Sequence, residues 1–432
     1  MAEPVSFEAL GSSEYVLSSA ENFVLYVLLE AVARGKGGGG RVPLNLGVVI
    51  DRSGSMYDER RLEFVVEAVK FLADNLAPED KVSLVAFADQ AKVIATADEA
   101  HDRSRVRRAI DDIDLLEIGG GTQMALGMRA AIEEVKKNLS SDRLNRVLVL
   151  TDGQTYEETA CIDLVAQNRD QVSFSTMGVG VEFNEKLLQR LAQDSNGKYH
   201  FIGDPAEIPN IFEDELQGLR AITVRNGRIE VTFSQGVQVR ESFRASPEIY
   251  PMGSPLVGDD RKVGYDIGDL EAGVPGSVLL TLVMPPRKPG TVRVLQSTLH
   301  YELPGAGESA ANADLTVEYT LDRTLTSKRS GRVMNLVDQV SIAKLQARAE
   351  EELKAGNVDR ATRLLGNAIQ GTQRMGNVKK TQALAGLLDQ VRKTQTLQTK
   401  AAKTQLLQAQ AMVRKTQMLD PEALKDLQKS EE

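Results

Sequence analysis

The sequence predicts a doubly wound α/β domain with a mostly parallel sheet, inserted in or followed by an antiparallel β-sandwich, with a helical carboxyl-terminal region. Three observations carry this. From residue 44 to about 219, short apolar runs rich in β-branched residues alternate with amphipathic segments of helical period. After Leu219 the period drops to two, and short alternating runs are separated by Gly, Pro, Asp and Ser. From Ser330 onward the period is helical again. The expected divisions are 1–40 for amino-terminal strands and a Gly-rich connector, 41–220 for the α/β domain, 221–328 for the sandwich and 329–432 for the helical region.

Taken in order, Glu14–Leu17 and Phe23–Val32 are rich in β-branched and aromatic residues and read as strands. Their simplest partners are the strands after residue 220, so the α/β domain is expected to interrupt one sandwich built from both flanks. Arg34–Arg41 is a connector and not a phosphate loop, because its Gly-Lys is followed by glycines and then a strand. Leu44–Ile50 is an apolar run of the kind buried on both faces of a sheet. Arg60–Leu76 is a helix with Leu62, Val65, Val66, Val69, Leu72 and Leu76 on one face. Lys81–Ala88 is a strand and Lys92–Thr96 a short edge strand. Val106–Ile113 and Thr122–Leu139 read as helices, Arg146–Thr151 as a strand and Thr159–Ala166 as a helix. Val172–Val179, Glu185–Leu191 and Lys198–Ile202 give strand, helix and strand, and Glu207–Leu219 closes the domain as a helix.

Six short strands follow: Ala221–Val224, Arg228–Phe233, Val237–Arg240, Val278–Val283, Thr291–Leu295 and Leu315–Tyr319. Val333–Ala355 and Val358–Ile369 then form a helical hairpin turned at Gly356-Asn357. It looks loosely like a single tetratricopeptide unit, and one unit is not an array.

The chain has 432 residues, 42% of them hydrophobic and 26% charged, with a net charge of −9. This is enough apolar content for several cores, and the acidic balance argues against nucleic-acid binding. One cysteine, Cys161, excludes an internal disulfide and suits a reducing compartment. Met1–Phe7 lacks the basic-then-apolar pattern of a signal peptide, and the apolar run Phe23–Leu29 is too short to span a bilayer. The expectation is a cytoplasmic protein. The three histidines, His101, His200 and His300, stand singly and read as structural or surface residues.

Chemistry concentrates where the strand Leu44–Ile50 ends, in Asp51-Arg-Ser53-Gly-Ser55. A carboxylate and two hydroxyls at the carboxyl end of a central parallel strand lie where open α/β sheets bind ligands. All are hard oxygen donors, suited to Mg2+. Thr122 closes the glycine loop Gly119–Gly121, and Asp152 follows the strand Arg146–Thr151. Strand-end Asp and Ser often only cap a helix or make a turn. Caps would not require five oxygen donors together.

The pattern Asp-x-Ser-x-Ser, with Thr122 and Asp152 downstream, resembles the metal-ion-dependent adhesion site of von Willebrand factor type A domains. The resemblance covers roughly residues 44–219 and implies a Rossmann-like fold of that family. It implies that Ser53, Ser55 and Thr122 offer oxygens to Mg2+, or to Mn2+ or Ca2+, with Asp51 and Asp152 acting directly or through water. A position would remain for an acidic residue of a protein partner. The whole chain resembles bacterial cytoplasmic proteins in which such a domain precedes a β-domain and a helical tail. On this reading the protein is a non-enzymatic scaffold. The alternatives are an accessory subunit of an AAA+ ATPase of the chelatase or MoxR type, or a Mg2+-dependent hydrolase. Against the hydrolase, no companion base and no Ser-His-Asp set is in view.

The tail repeats Lys-Thr-Gln-x-Leu four times, beginning at Lys380, Lys393, Lys403 and Lys415. Residues 379–416 carry a local charge of +7, leaving about −16 for the rest. Leu384, Leu387, Leu388 and Val391 support a docked helix, but large apolar residues thin out beyond Val391, so packing alone accounts poorly for the repeats. A phosphothreonine followed three residues later by an aliphatic side chain resembles a ligand of forkhead-associated domains. Thr381, Thr394, Thr404 and Thr416 are therefore candidate phosphorylation sites for a Ser/Thr kinase, and a forkhead-associated-domain protein is a candidate partner.

Overall fold

A computed structural model of the chain describes residues 3–34, 42–97, 102–153, 155–396 and 399–417. The described residues divide into two compact units, bounded as Gly39–Thr223 and as Met1–Gly38 with Val224–Glu432. The glycine connector 35–41, His101, and the repeat leucines Leu397 and Leu419 lie outside the described residues.

The chain enters through β1 (Val5–Gly11), β2 (Tyr15–Leu17) and β3 (Phe23–Ala33) and then builds the Gly39–Thr223 unit. That unit runs β4 (Leu44–Asp51), α1 (Arg61–Asp74), β5 (Lys81–Phe87), β6 (Ala91–Ala95), α2 (Arg103–Asp111), α3 (Met124–Lys137), β7 (Leu144–Thr151), α4 (Glu158–Asn168), β8 (Ser173–Val179), α5 (Glu185–Gln193), β9 (Tyr199–Ile202) and α6 (Ile208–Ala221). The sheet order is β6-β5-β4-β7-β8-β9. All pairs are parallel except β5 with the edge strand β6. β4 is buried along its whole length. Its even residues, Leu44, Leu46, Val48 and Ile50, share a core with Val65, Val69 and Leu72 of α1 and Phe212 and Leu216 of α6. On the other face α3 approaches so closely that a Cβ at Gly47 would meet Ala131 and Val135 at 3.1 Å. A strand covered on both faces has no solvent side to alternate toward, which explains its unbroken apolar run.

The Met1–Gly38 and Val224–Glu432 unit adds β10 (Ile222–Phe233), β11 (Gln238–Ser246), β12 (Tyr250–Gly253), β13 (Lys262–Glu271), β14 (Pro275–Met284), β15 (Gly290–Leu303) and β16 (Gly307–Thr320). Two sheets form, ordered β1-β3-β14-β11-β12 and β13-β10-β15-β16-β2. β3 lies between β1 and β14, antiparallel to both. Leu25, Val27 and Leu29 share one core with Ile229, Val231, Leu299 and Val317 of the facing sheet. Two sequence expectations are corrected here. Ala221–Val224 and Arg228–Phe233 belong to one strand, β10, whose register shifts between Arg225 and Arg228 against β15. Strands β12 and β13 were not expected at all. Gly264, Asp266 and Gly268 disguise the alternation of Val263, Tyr265 and Ile267, which are buried.

Helices α7 (Gly331–Lys354), α8 (Val358–Arg374), α9 (Val378–Thr394) and α10 (Lys400–Arg414) complete the chain. α7 lays Val333, Leu336, Val337 and Val340 against Leu28 of β3 and Leu279 of β14. Arg332 ties it to the sheet, pairing with Glu8 at 3.1 Å and with Glu30. α8, α9 and α10 share a second core through Leu365, Leu384, Leu387, Val391, Leu406 and Val413. Packing therefore does account for the tail beyond Val391, contrary to the expectation from residue counts, because Ala402 and Ala409 bury fully and let α10 approach closely. Among the described residues, no helix is long and apolar enough to cross a membrane.

Candidate metal centre

The strand order places β4 beside β5 and β7, so Asp51, Phe87 and Thr151 end at one edge of the sheet. Asp51 is fully buried. Its Oδ1 accepts from the Ser53 backbone N–H at 2.8 Å, and its Oδ2 accepts from the Thr151 hydroxyl. Burial pushes its carboxyl up to about 6, although the bonds from Thr151 and Ser53 oppose this. Ser53 Oγ lies 3.2 Å from Ser55 Oγ, and Ser55 Oγ donates to Asp152 Oδ1 at 2.7 Å. A side chain at Gly153 would put its Cβ 3.3 Å from Thr122 Oγ1 and 3.7 Å from Asp51 Oδ2, which sets those two oxygens around one point. The structure thus brings Asp51, Ser53, Ser55, Thr122 and Asp152 together. Thr122 lies just before α3, which begins at Met124 and not at Thr122 as the periodicity suggested.

Three supporting residues escaped the sequence reading. Asp89, just beyond β5, accepts from the Gly120 N–H at 2.9 Å. Its carboxylate fills the glycine loop: a Cβ at Gly119, whose φ is +83°, would fall 2.0 Å from Asp89 Oδ2. Only glycine permits both that φ and that approach. Arg52 donates to the carbonyls of Ile113, Asp114 and Gly119 at 2.9–3.2 Å, and Gly54 N–H donates to Gly120 O at 3.2 Å. The serine loop and the glycine loop are thereby held against each other. Arg61 pairs with Asp152. An acidic residue at a strand end was a readable signal for Asp89. For Arg61 there was none, since it sits in a charged run that reads as solvated surface.

Among the described residues, no cluster of three or more His, Cys, Asp or Glu side chains is placed to hold an ion. A centre here therefore rests on two carboxylates and three hydroxyls. An all-oxygen set of low charge fits Mg2+, Mn2+ or Ca2+ and not the softer transition metals. His200 lies elsewhere, 3.1 Å from the buried Glu215, which also meets Ser175 Oγ at 2.6 Å and Arg146 at 3.6 Å.

Each tail threonine has its hydroxyl bonded to a main-chain carbonyl of its own unit. Thr381, Thr394 and Thr404 donate to the carbonyls of Asn377, Gln390 and Lys400, one turn back in their own helices. Thr416 follows α10, where its N–H donates to Pro247 O at 3.1 Å and its hydroxyl donates to Ala245 O.

Residues 45–214 match the family model of the von Willebrand factor type A domain, so the Gly39–Thr223 unit carries such a domain. An uncharacterised protein of Synechocystis is 27% identical over 336 residues, covering 76% of this chain and 78% of that protein. Two solved structures share the fold. A von Willebrand factor type A protein from Catenulispora acidiphila has a TM-score of 0.79 at 19% identity, covering 96% of this chain and 97% of that one. The ArnB paralog VWA2 from Sulfolobus acidocaldarius has a TM-score of 0.58 at 17% identity, covering 95% and 98%.

Proposed function

We propose that this protein is a non-enzymatic interaction module that binds an acidic group of a protein partner through a divalent ion, with Mg2+ the ion its donors suit best. The von Willebrand factor type A domain is typically an interaction or adhesion domain and binds a divalent ion at its adhesion site. The observation that carries the proposal is the convergence of three hydroxyls and two carboxylates at one sheet edge. Ser53, Ser55 and Thr122 would hold the ion, with Asp51 and Asp152 acting directly or through water. The bound ion would supply an incompletely neutralised charge open to a further oxygen ligand.

Around this centre the loops present large apolar side chains. Tyr57, Leu115 and Tyr156 are 51%, 77% and 100% exposed, and they lie on the segments that carry Ser55, Thr122 and Asp152. Tyr57 is steadied by a 3.0 Å bond from its hydroxyl to Asp114. Apolar contacts flanking a charged centre are what a protein partner uses for affinity beyond the ion itself.

A single cysteine and no internal disulfide suit a reducing compartment, and we place the protein in the cytoplasm.

The test is capture of partners from host lysate by the wild type and by Asp51→Ala, each with Mg2+ or with EDTA. The expected result is a partner lost with EDTA and lost with the variant. An unchanged partner set under all four conditions sinks the proposal.

A further inference from the structure

Arg61 opens α1 and turns back toward the serine loop. Its Nη1 pairs with Asp152 Oδ2, and its Nη2 donates to Glu59 Oε2 at 3.1 Å. The Arg61 side chain is 12% exposed and that of Asp152 is fully buried. The remaining Asp152 oxygen, Oδ1, already accepts from Ser55 Oγ. Both oxygens of this carboxylate are therefore committed to neighbours.

The surroundings are arranged for this cation. Glu59 and Arg60, the two residues before it, have φ of 53° and 59°, a region that side-chain-bearing residues rarely adopt. Gly180 lies against the guanidinium, and a Cβ there would stand 3.4 Å from Nη2. Arg61 Nε is buried with no hydrogen-bond partner among the described residues. Strain and an unmade bond together persist where the rest of the structure holds a group in place.

We infer that Arg61 is a positioning residue that keeps Asp152 from ligating the ion directly, so that the ion retains charge for the partner's acidic group. This rests on the proposed metal centre. The physical reason is competition. A carboxylate held by a charge-assisted pair and a hydroxyl is fixed in position and loosens those bonds if it turns to face a cation, and the nearby guanidinium repels that cation. Ser53, Ser55, Thr122 and Asp51 are then left to hold the ion. Asp51 accepts only from a neutral N–H and a hydroxyl, so it is the carboxylate not already paired with a cation, and with it as ligand the ion's double charge is only half neutralised.

The test titrates Mg2+ into the wild type, Arg61→Gln and Arg61→Lys by calorimetry, with Asp51→Ala as the site control. Water-proton relaxation by bound Mn2+ is measured in parallel. Arg61→Gln is expected to bind Mg2+ about tenfold more tightly. Its bound Mn2+ is expected to relax fewer water protons, because an Asp152 oxygen replaces a water. Arg61→Lys, which keeps the charge, is expected to stay near the wild type in both. Equal or weaker binding by Arg61→Gln overturns the inference and leaves the metal centre standing. Tighter binding with unchanged relaxation also overturns it, since the effect is then repulsion at a distance. A wild type that binds no ion removes the metal centre and the inference together. Arg61→Met, which keeps the apolar stem, repeats the comparison if Arg61→Gln does not fold.

Discussion

Asp51 is asked to be two things, a buried carboxyl and a charged donor, and its proton decides between them. Its folded value of about 6 lies above the ordinary 3.8. The metal-free fold therefore holds this proton more tightly than the unfolded chain does. Its contribution to stability is fully present below pH 3.8 and is lost as pH rises through 6, by on the order of 3 kcal/mol. Urea denaturation in EDTA across pH 4 to 8 should show this fall, and Asp51→Asn should flatten it while binding no ion. In the wild type, Mg2+ affinity should decline below pH 6, approaching tenfold per pH unit, because ion and proton compete for one carboxylate; calorimetry reads this directly. Asp89→Ala should leave the fold intact yet weaken Mg2+ binding by about tenfold or more, since Gly120 and with it Thr122 lose their anchor.

At the scale of elements, the sheet edges are tied by side chains that periodicity does not reveal. Glu215 of α6 binds Ser175 of β8 and lies near Arg146 of β7 and His200 of β9, so one carboxylate joins three strands to a helix. Burial alone would raise its carboxyl; His200, Lys198 and Arg146 instead hold it well below the usual range. Glu215→Ala removes the acceptor of the Ser175 hydroxyl and the carboxylate beside His200, and should cost about 1–3 kcal/mol in urea denaturation. The tail repeats have a comparably plain basis. Threonine and leucine three residues apart lie one helical turn apart on the same face. Leu384 and Leu407 are buried, and Thr381 and Thr404 bond one turn back. Lys415, Thr416 and Gln417 of the fourth repeat instead run past α10 as extended chain, with Lys415 in a backbone β-bridge to Glu248 and the Gln417 N–H bonded to Gln339 at 2.8 Å. Near-identical pentads thus adopt different structures, set by what each lies against.

At the scale of the whole molecule, the long interval between β3 and β14 is the feature to test. β3 supplies a middle strand to a sheet completed more than 240 residues later, with Thr281 paired to Tyr26 and Leu280 to Val27. A protein beginning at residue 224 should therefore aggregate or stay unfolded, because β14 loses its neighbour and Leu280 and Leu282 lose the core they share with Leu25 and Val27. A protein of residues 39–223 alone should unfold cooperatively, since its sheet and core are internal to it. Calorimetry on both fragments decides each point.

The strand-and-helix alternation of 44–219 and the oxygen donors at its strand ends are legible in the sequence alone. Both are local: a buried strand must be apolar throughout, and a chain leaving it must turn on small polar residues. Tertiary packing was needed to bring Arg61 to Asp152, to set Asp89 into the glycine loop, and to pair β12 with β11 and β13 with β10. A guanidinium or carboxylate in a polar stretch carries no periodic signal, and its partner is chosen by how distant strands are set side by side. The register of β4 against β5 and β7 makes that choice. It is fixed by packing across the whole sheet, which no short window of sequence contains.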